Sequence, residues 1–161
     1  MKILRILPVI FFISVCFLNG DSDGLHFIKP RNNKALYDTQ QTPPKTHEIR
    51  ITGHHTNGKL DLEDASGNDA ETVTVDSDDD IIWTNTDLDI TIVNIKEKFL
   101  TGNHFKNKPS PQTPKKWYGK VDHYTGDKIH ISKYFIRWKD SNGKERKYDP
   151  LIRINPSQLD L

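Results

Sequence analysis

The chain has 161 residues, a formal net charge of +1 and nearly equal numbers of basic and acidic side chains. That balance excludes a nucleic-acid binder resting on an overall basic domain. The only cysteine (Cys16) and the only methionine (Met1) lie in the first 20 residues, so the rest of the chain has no disulfide, thiol nucleophile or sulfur ligand.

The N-terminus reads MKILRILPVIFFISVCFLNG. Lys2 and Arg5 precede an apolar run from Ile6 to Leu18, too short to span a bilayer and followed by polar sequence. Residues 1–20 are expected to be a secretory signal peptide cleaved near Gly20. Lipid attachment at Cys16 is the alternative, but Ile13-Ser14-Val15 lacks the small residue wanted immediately before such a cysteine. An exported chain without disulfides points to the periplasm of a bacterial envelope or to secretion from it. Asn155 is followed by Pro156, so no glycosylation sequon is present either. No later stretch reaches the roughly 20 apolar residues of a membrane helix, and no stable membrane span is expected.

Residues 21–46 are polar, contain Pro30, Pro43 and Pro44, and read as a flexible arm. From His47 the pattern becomes that of short strands. HEIRIT places Ile49 and Ile51 on one face, GKLDLED does so with Leu60 and Leu62, and ETVTVD with Val73 and Val75. DIIWTN, LDITIVNI, KWYGKVDHY, KIHISKYFIRWKD and RKYDPLIRINP follow. Period-two alternation in Val, Ile, Thr and aromatic residues predicts about seven to nine strands and an all-β sandwich or barrel over 47–161. Asn57-Gly58 and Asn142-Gly143 predict type I′ hairpin turns. Parity slips twice. Leu88, Ile90 and Ile92 oppose Val93 and Ile95, and Ile129 and Ile131 are out of phase with Tyr134, Ile136 and Trp138. A bulge or a move between sheets would restore burial in each case. HFKNKPSPQTPKK, 104–116, is expected to be the longest irregular loop.

Charge is segregated. Residues 61–89 hold eleven Asp and Glu and no Lys or Arg, whereas 96–161 hold fifteen Lys and Arg against seven Asp and Glu. Such asymmetry either steers an oriented partner or a self-assembly, or neutralises itself across the sandwich.

AETVTVDSDDDIIWTNTD, 70–87, resembles the strand–turn–strand of cupredoxins, and YFIRWKDSNGKERKYDPLIRINP, 134–156, resembles the closing hairpin of cupredoxin-like domains from bacterial envelopes. The resemblance covers roughly 47–156 and implies a Greek-key sandwich of the plastocyanin and azurin kind. Cupredoxins proper hold copper with two histidines, a cysteine thiolate and usually a weak axial methionine. The corresponding region, 117–139, has His123 and His130 but neither Cys nor Met. The resemblance therefore implies the shell without type 1 copper, and no cofactor.

Four carboxylates, Asp76, Asp78, Asp80 and Asp87, occupy the first, third, fifth and twelfth places of a twelve-residue window, as in an EF-hand loop. Ile81 stands where the loop needs Gly, and Asp87 stands where it needs Glu. IIWTN reads as a strand, which carries Asp87 about 23 Å beyond Asp80. The window is read as a solvated acidic turn followed by a core strand. A looser calcium site from Asp76, Asp78 and Asp79 is one alternative. A zinc or copper site from His54-His55 with His47 or His123 is another. Trp83 and Trp138 are expected in the core, and Trp117 and Tyr118 at the surface as a possible ligand platform.

No Gly-x-Ser-x-Gly or His-Glu-x-x-His is present. The reading is an exported, non-catalytic module that binds a protein or glycan of the cell envelope, or acts structurally. Residues 104–118 and the acidic turn are its expected recognition elements. Extracytoplasmic binding of copper, zinc or calcium is the alternative function, and a small hydrolase the third.

Overall fold

The computed structural model describes residues 43–99 and 102–157. The leader, Cys16 and most of the polar arm, residues 21–42, lie outside the described residues.

The alternation read from the sequence becomes ten strands: β1 (Thr46–His54), β2 (Leu60–Asp64), β3 (Thr72–Asp76), β4 (Asp80–Asn85), β5 (Ile90–Glu97), β6 (Phe105–Thr113), β7 (Lys116–Val121), β8 (His130–Asp140), β9 (Glu145–Tyr148) and β10 (Leu151–Asn155). They form two sheets. One has the order β2-β1-β4-β7-β6, and the other β3-β10-β8-β5, with β9 also paired to β8. β1 runs parallel to β4, and β3 parallel to β10, while the remaining pairs are antiparallel.

The two sheets face each other over one buried cluster. Ile49, Ile51, Ile81 and Trp83 come from the first sheet, and Tyr134, Ile136, Trp138, Ile152 and Ile154 from the second. Each large side chain so buried contributes roughly 1.5–3 kcal/mol. The Trp83 indole N–H donates to the Tyr134 hydroxyl at 3.2 Å, so the polar ends of both rings are satisfied inside the core. Gly119, on β7, lies beneath Trp83. A Cβ there would sit 3.2 Å from Trp83 Cζ3 and 3.3 Å from the Phe105 ring, so a side chain at this position would have to push both aromatics back by a few tenths of an ångström.

Several details depart from the sequence-based expectation. The strand count exceeds seven to nine for two reasons. Pro150, which has no N–H, divides the last segment into β9 and β10, which follow one another along the same side of β8. And 104–116 is not a loop: Phe105–Thr113 pairs with β7 as the edge of its sheet. Its prolines are tolerated because an edge strand need not donate on its open side. Its register slips at three places, which is why no alternation shows.

The Asn-Gly turns are hairpin turns but not type I′. Gly58 and Gly143 have positive φ and their asparagines do not. Each loop is a three-residue type I turn closed by a left-handed glycine, with Gly58 N–H donating to His55 O and Gly143 N–H to Asp140 O. Asp64–Asn68 repeats the geometry with Gly67.

The parity slip in β5 is resolved by a bulge between Ile92 and Asn94, which ejects Val93 and returns Ile95 to the core. The slip in β8 is not resolved. The strand stays regular, Ile129 and Ile131 remain 44% and 40% exposed, and Ser132 takes the inward position.

Candidate functional site

The acidic turn is fastened, not merely solvated. Asp78 adopts φ 66°, a left-handed conformation that Asp tolerates better than most residues. The turn thereby rolls Asp79 inward, where only 2% of it is exposed. The Asp79 carboxylate accepts from the backbone N–H groups of Lys45 (2.7 Å) and Asp76 (2.8 Å), and its Oδ2 lies 2.7 Å from His47 Nε2. One buried carboxylate therefore pins the start of β1 to the end of β3 and the start of β4.

The other carboxylates of the window diverge. Asp78 pairs with His123 Nδ1, and Asp76 accepts from Asn155 Nδ2. Asp80 accepts from the Tyr118 hydroxyl at 2.7 Å. The hydrogen bond to Asp80, then burial and the Asp80 charge, hold the Tyr118 phenol above its ordinary range. Asp87 lies against His54 Nδ1 at 2.6 Å, and that imidazole stands edge-on to Trp138. His55 turns instead to Asp61. His54 and His55 thus serve different carboxylates. Among the described residues, no three His, Asp or Glu side chains are grouped to hold one metal ion.

A second cluster joins β5, β6 and β8. The Glu97 carboxylate accepts from the His104 N–H and from the Ser132 hydroxyl (2.8 Å), and pairs with His104 Nδ1. The carboxylate stands between hydroxyl and imidazole, so this is not a serine activated by a histidine base. Tyr124 stacks on His130 at 4.0 Å, and His104 lies 6.0 Å from His130. Desolvation, with the charges of His104 and Lys128, holds His130 below the ordinary imidazole range.

Trp117 is not a surface platform. It pairs directly with Trp83 across β4 and β7, which puts both rings on the inner face, and only 7% of it is exposed. Trp83 and Trp138 are in the core, as the alternation implies.

The open surface is at the flank where the edge strands β5 and β6 approach. A groove of about 610 Å³ lies there, lined among others by Lys96, Lys98, Phe99, Asn103, Lys108 and Pro109. Phe99 is 97% exposed. Lys106, Lys115 and Lys116 extend the basic character along β6 and its turn, and Glu97 is turned inward to His104. Lys98 also reaches Asp149, at 2.9 Å. Part of this flank lies within 104–118, the expected recognition element. The contribution of β5 was hidden in the sequence, because nothing local marks a strand as a sheet edge.

The fold and this flank define a two-sheet, all-β module with an open basic side. No protein-family model matches the chain. No curated protein matches it. Seven solved chains match in structure. One is the cysteine protease inhibitor EhICP2 from Entamoeba histolytica, 12% identical, with a TM-score of 0.34 over 71% of this chain and 97% of that one. A likeness at that level assigns neither fold nor function.

Proposed function

We propose that the chain is an exported, non-catalytic β-sandwich module that works by surface contact, through the flank formed by β5 and β6. The observation that carries this reading is the groove there, bordered by two strand edges, several lysines and the exposed Phe99. Exposed apolar surface rimmed by charge is the usual mark of a contact site. Export rests on the basic, apolar and polar sequence of residues 1–20. Among the described residues, no helix is long and apolar enough to cross a membrane.

The finer assignment, a cupredoxin-like Greek-key shell without type 1 copper, rests on the residues that carry that resemblance. Residues 70–87 supply β3, the acidic turn and β4, and residues 134–156 supply most of β8 together with β9 and β10.

The test is retention of the purified protein on envelope fractions of its source cells. The wild type should be retained, Lys96→Glu/Lys108→Glu should be lost, and Lys139→Glu/Lys144→Glu, away from the groove, should behave as wild type. Equal retention of all three would overturn the reading.

A further inference from the structure

We propose that this module assembles head to tail with a second copy of itself, the acidic flank of one copy meeting the basic flank of the next. The inference rests on the reading of the β5–β6 flank as a contact surface, and names what it contacts.

Strand order turns a one-dimensional charge pattern into a spatial one. β2 is the edge of one sheet and β3 the edge of the other, and Glu63 of β2 bridges to Asp69, on the short connection that leads into β3. They share one flank of the sandwich. β6 and β5 are the opposite edges and share the other. The β2–β3 flank carries Asp61, Glu63, Asp64, Asp69 and Glu71, with Lys59 paired to Glu71 at 3.7 Å. The β5–β6 flank carries the lysines described above. The domain is therefore polarised from one sheet edge to the other, and the surface complementary to its basic flank is its own acidic one.

Each flank also offers an open strand. Among the described residues β3 pairs only with β10, and β5 only with β8. A groove of about 330 Å³ lies between β3 and the start of β1, lined by Thr72, Val73 and Thr74 on one side and Thr46, His47 and Glu48 on the other. Beyond its bulge, β5 is regular from Asn94 to Glu97 and contains no proline. β6 contains Pro109 and Pro111, which have no N–H to donate. The joint that main-chain hydrogen bonding allows is thus β5 against β3 of the next copy. It would continue one sheet across two molecules, with the lysines steering the approach. Because the two surfaces lie on opposite flanks, the contact is heterologous and leaves a free flank at each end.

The test is sedimentation velocity on the purified protein. Weight-average mass should rise above the monomer with concentration at about 20 mM salt and return to monomer at about 0.5 M, where the Debye length is only a few ångströms. Lys96→Glu/Lys108→Glu and Glu63→Lys/Glu71→Lys should each be monomeric alone. Their equimolar mixture should associate, because it restores one native joint. Circular dichroism checks folding, and the corresponding Gln variants replace any charge reversal that fails to fold. A wild type that stays monomeric at low salt overturns the proposal, as does association that ignores either flank. Loss of envelope retention in the basic-flank variant, with a monomeric wild type, overturns self-assembly while leaving the contact function standing, its partner then being an acidic surface of another molecule.

Discussion

Asp79 and His47 meet at 2.7 Å beneath the acidic turn, and the same carboxylate holds two backbone N–H groups. Removing the carboxylate would leave those part-buried donors without their partner, and His47 without its own. Asp79→Ala should therefore cost about 2–4 kcal/mol in urea unfolding. Asp78→Gly relaxes a positive φ and loses only a half-exposed pair with His123, so it should change stability by less than about 1 kcal/mol. Equal effects from the two would mean the turn is held by solvation alone.

Tyr134→Phe removes the acceptor of the Trp83 indole N–H in the middle of the sandwich. The expected loss is about 1–3 kcal/mol with little change of fold, since the ring is retained. Equilibrium denaturation followed by tryptophan fluorescence measures it, and an unchanged midpoint would count against that hydrogen bond.

Gly119→Ala should destabilise by about 1–3 kcal/mol, because the new methyl would press on Trp83 and Phe105 at once. A thermal melt no lower than wild type would show that the aromatics can move apart.

His130 supplies a pH dependence. Its folded pKa lies below the ordinary value, chiefly through desolvation, so the unfolded chain binds the extra proton first. The stability this group contributes is present above its unfolded pKa and is lost as pH falls through the folded one. His130→Phe keeps a ring against Tyr124 and cannot titrate. The difference in stability between variant and wild type should be flat above about pH 7.5 and shift in favour of the variant as pH falls through 6. A difference curve flat throughout would sink the assignment.

Calorimetric titration with Ca²⁺, Zn²⁺ and Cu²⁺ separates the contact reading from metal handling. The contact reading expects no stoichiometric binding of any of the three. Tight one-to-one binding lost in Asp78→Ala or His54→Ala would favour metal handling instead.

The strands were legible in the sequence wherever one face is buried and the other wet, because burial imposes alternation. Ile49 with Ile51, and Leu60 with Leu62, show this directly. Edge strand β6 was not legible. It buries only one end, at Phe105, and its bulges erase the period. Trp117 was misplaced because its lysine and proline neighbours suggest exposure. Its burial comes from pairing with Trp83, a contact 34 residues away. Asp79 looked like its neighbours in the acidic run. What sets it apart is the left-handed Asp78 before it and the N–H of Lys45, neither of which has a local signature.

The parallel pairing of β3 with β10 joins residues 72–76 to residues 151–155. One sheet therefore cannot be completed until residues 151–155 have been synthesised. Contacts of such sequence separation form slowly, after the entropy of closing a loop of almost eighty residues has been overcome. The other sheet draws all its strands from residues 46–121, but its inner face lacks Tyr134, Ile136, Trp138, Ile152 and Ile154 until β8 and β10 follow. Until then the apolar faces of the early strands stay open to solvent, and the emerging chain carries its own aggregation hazard.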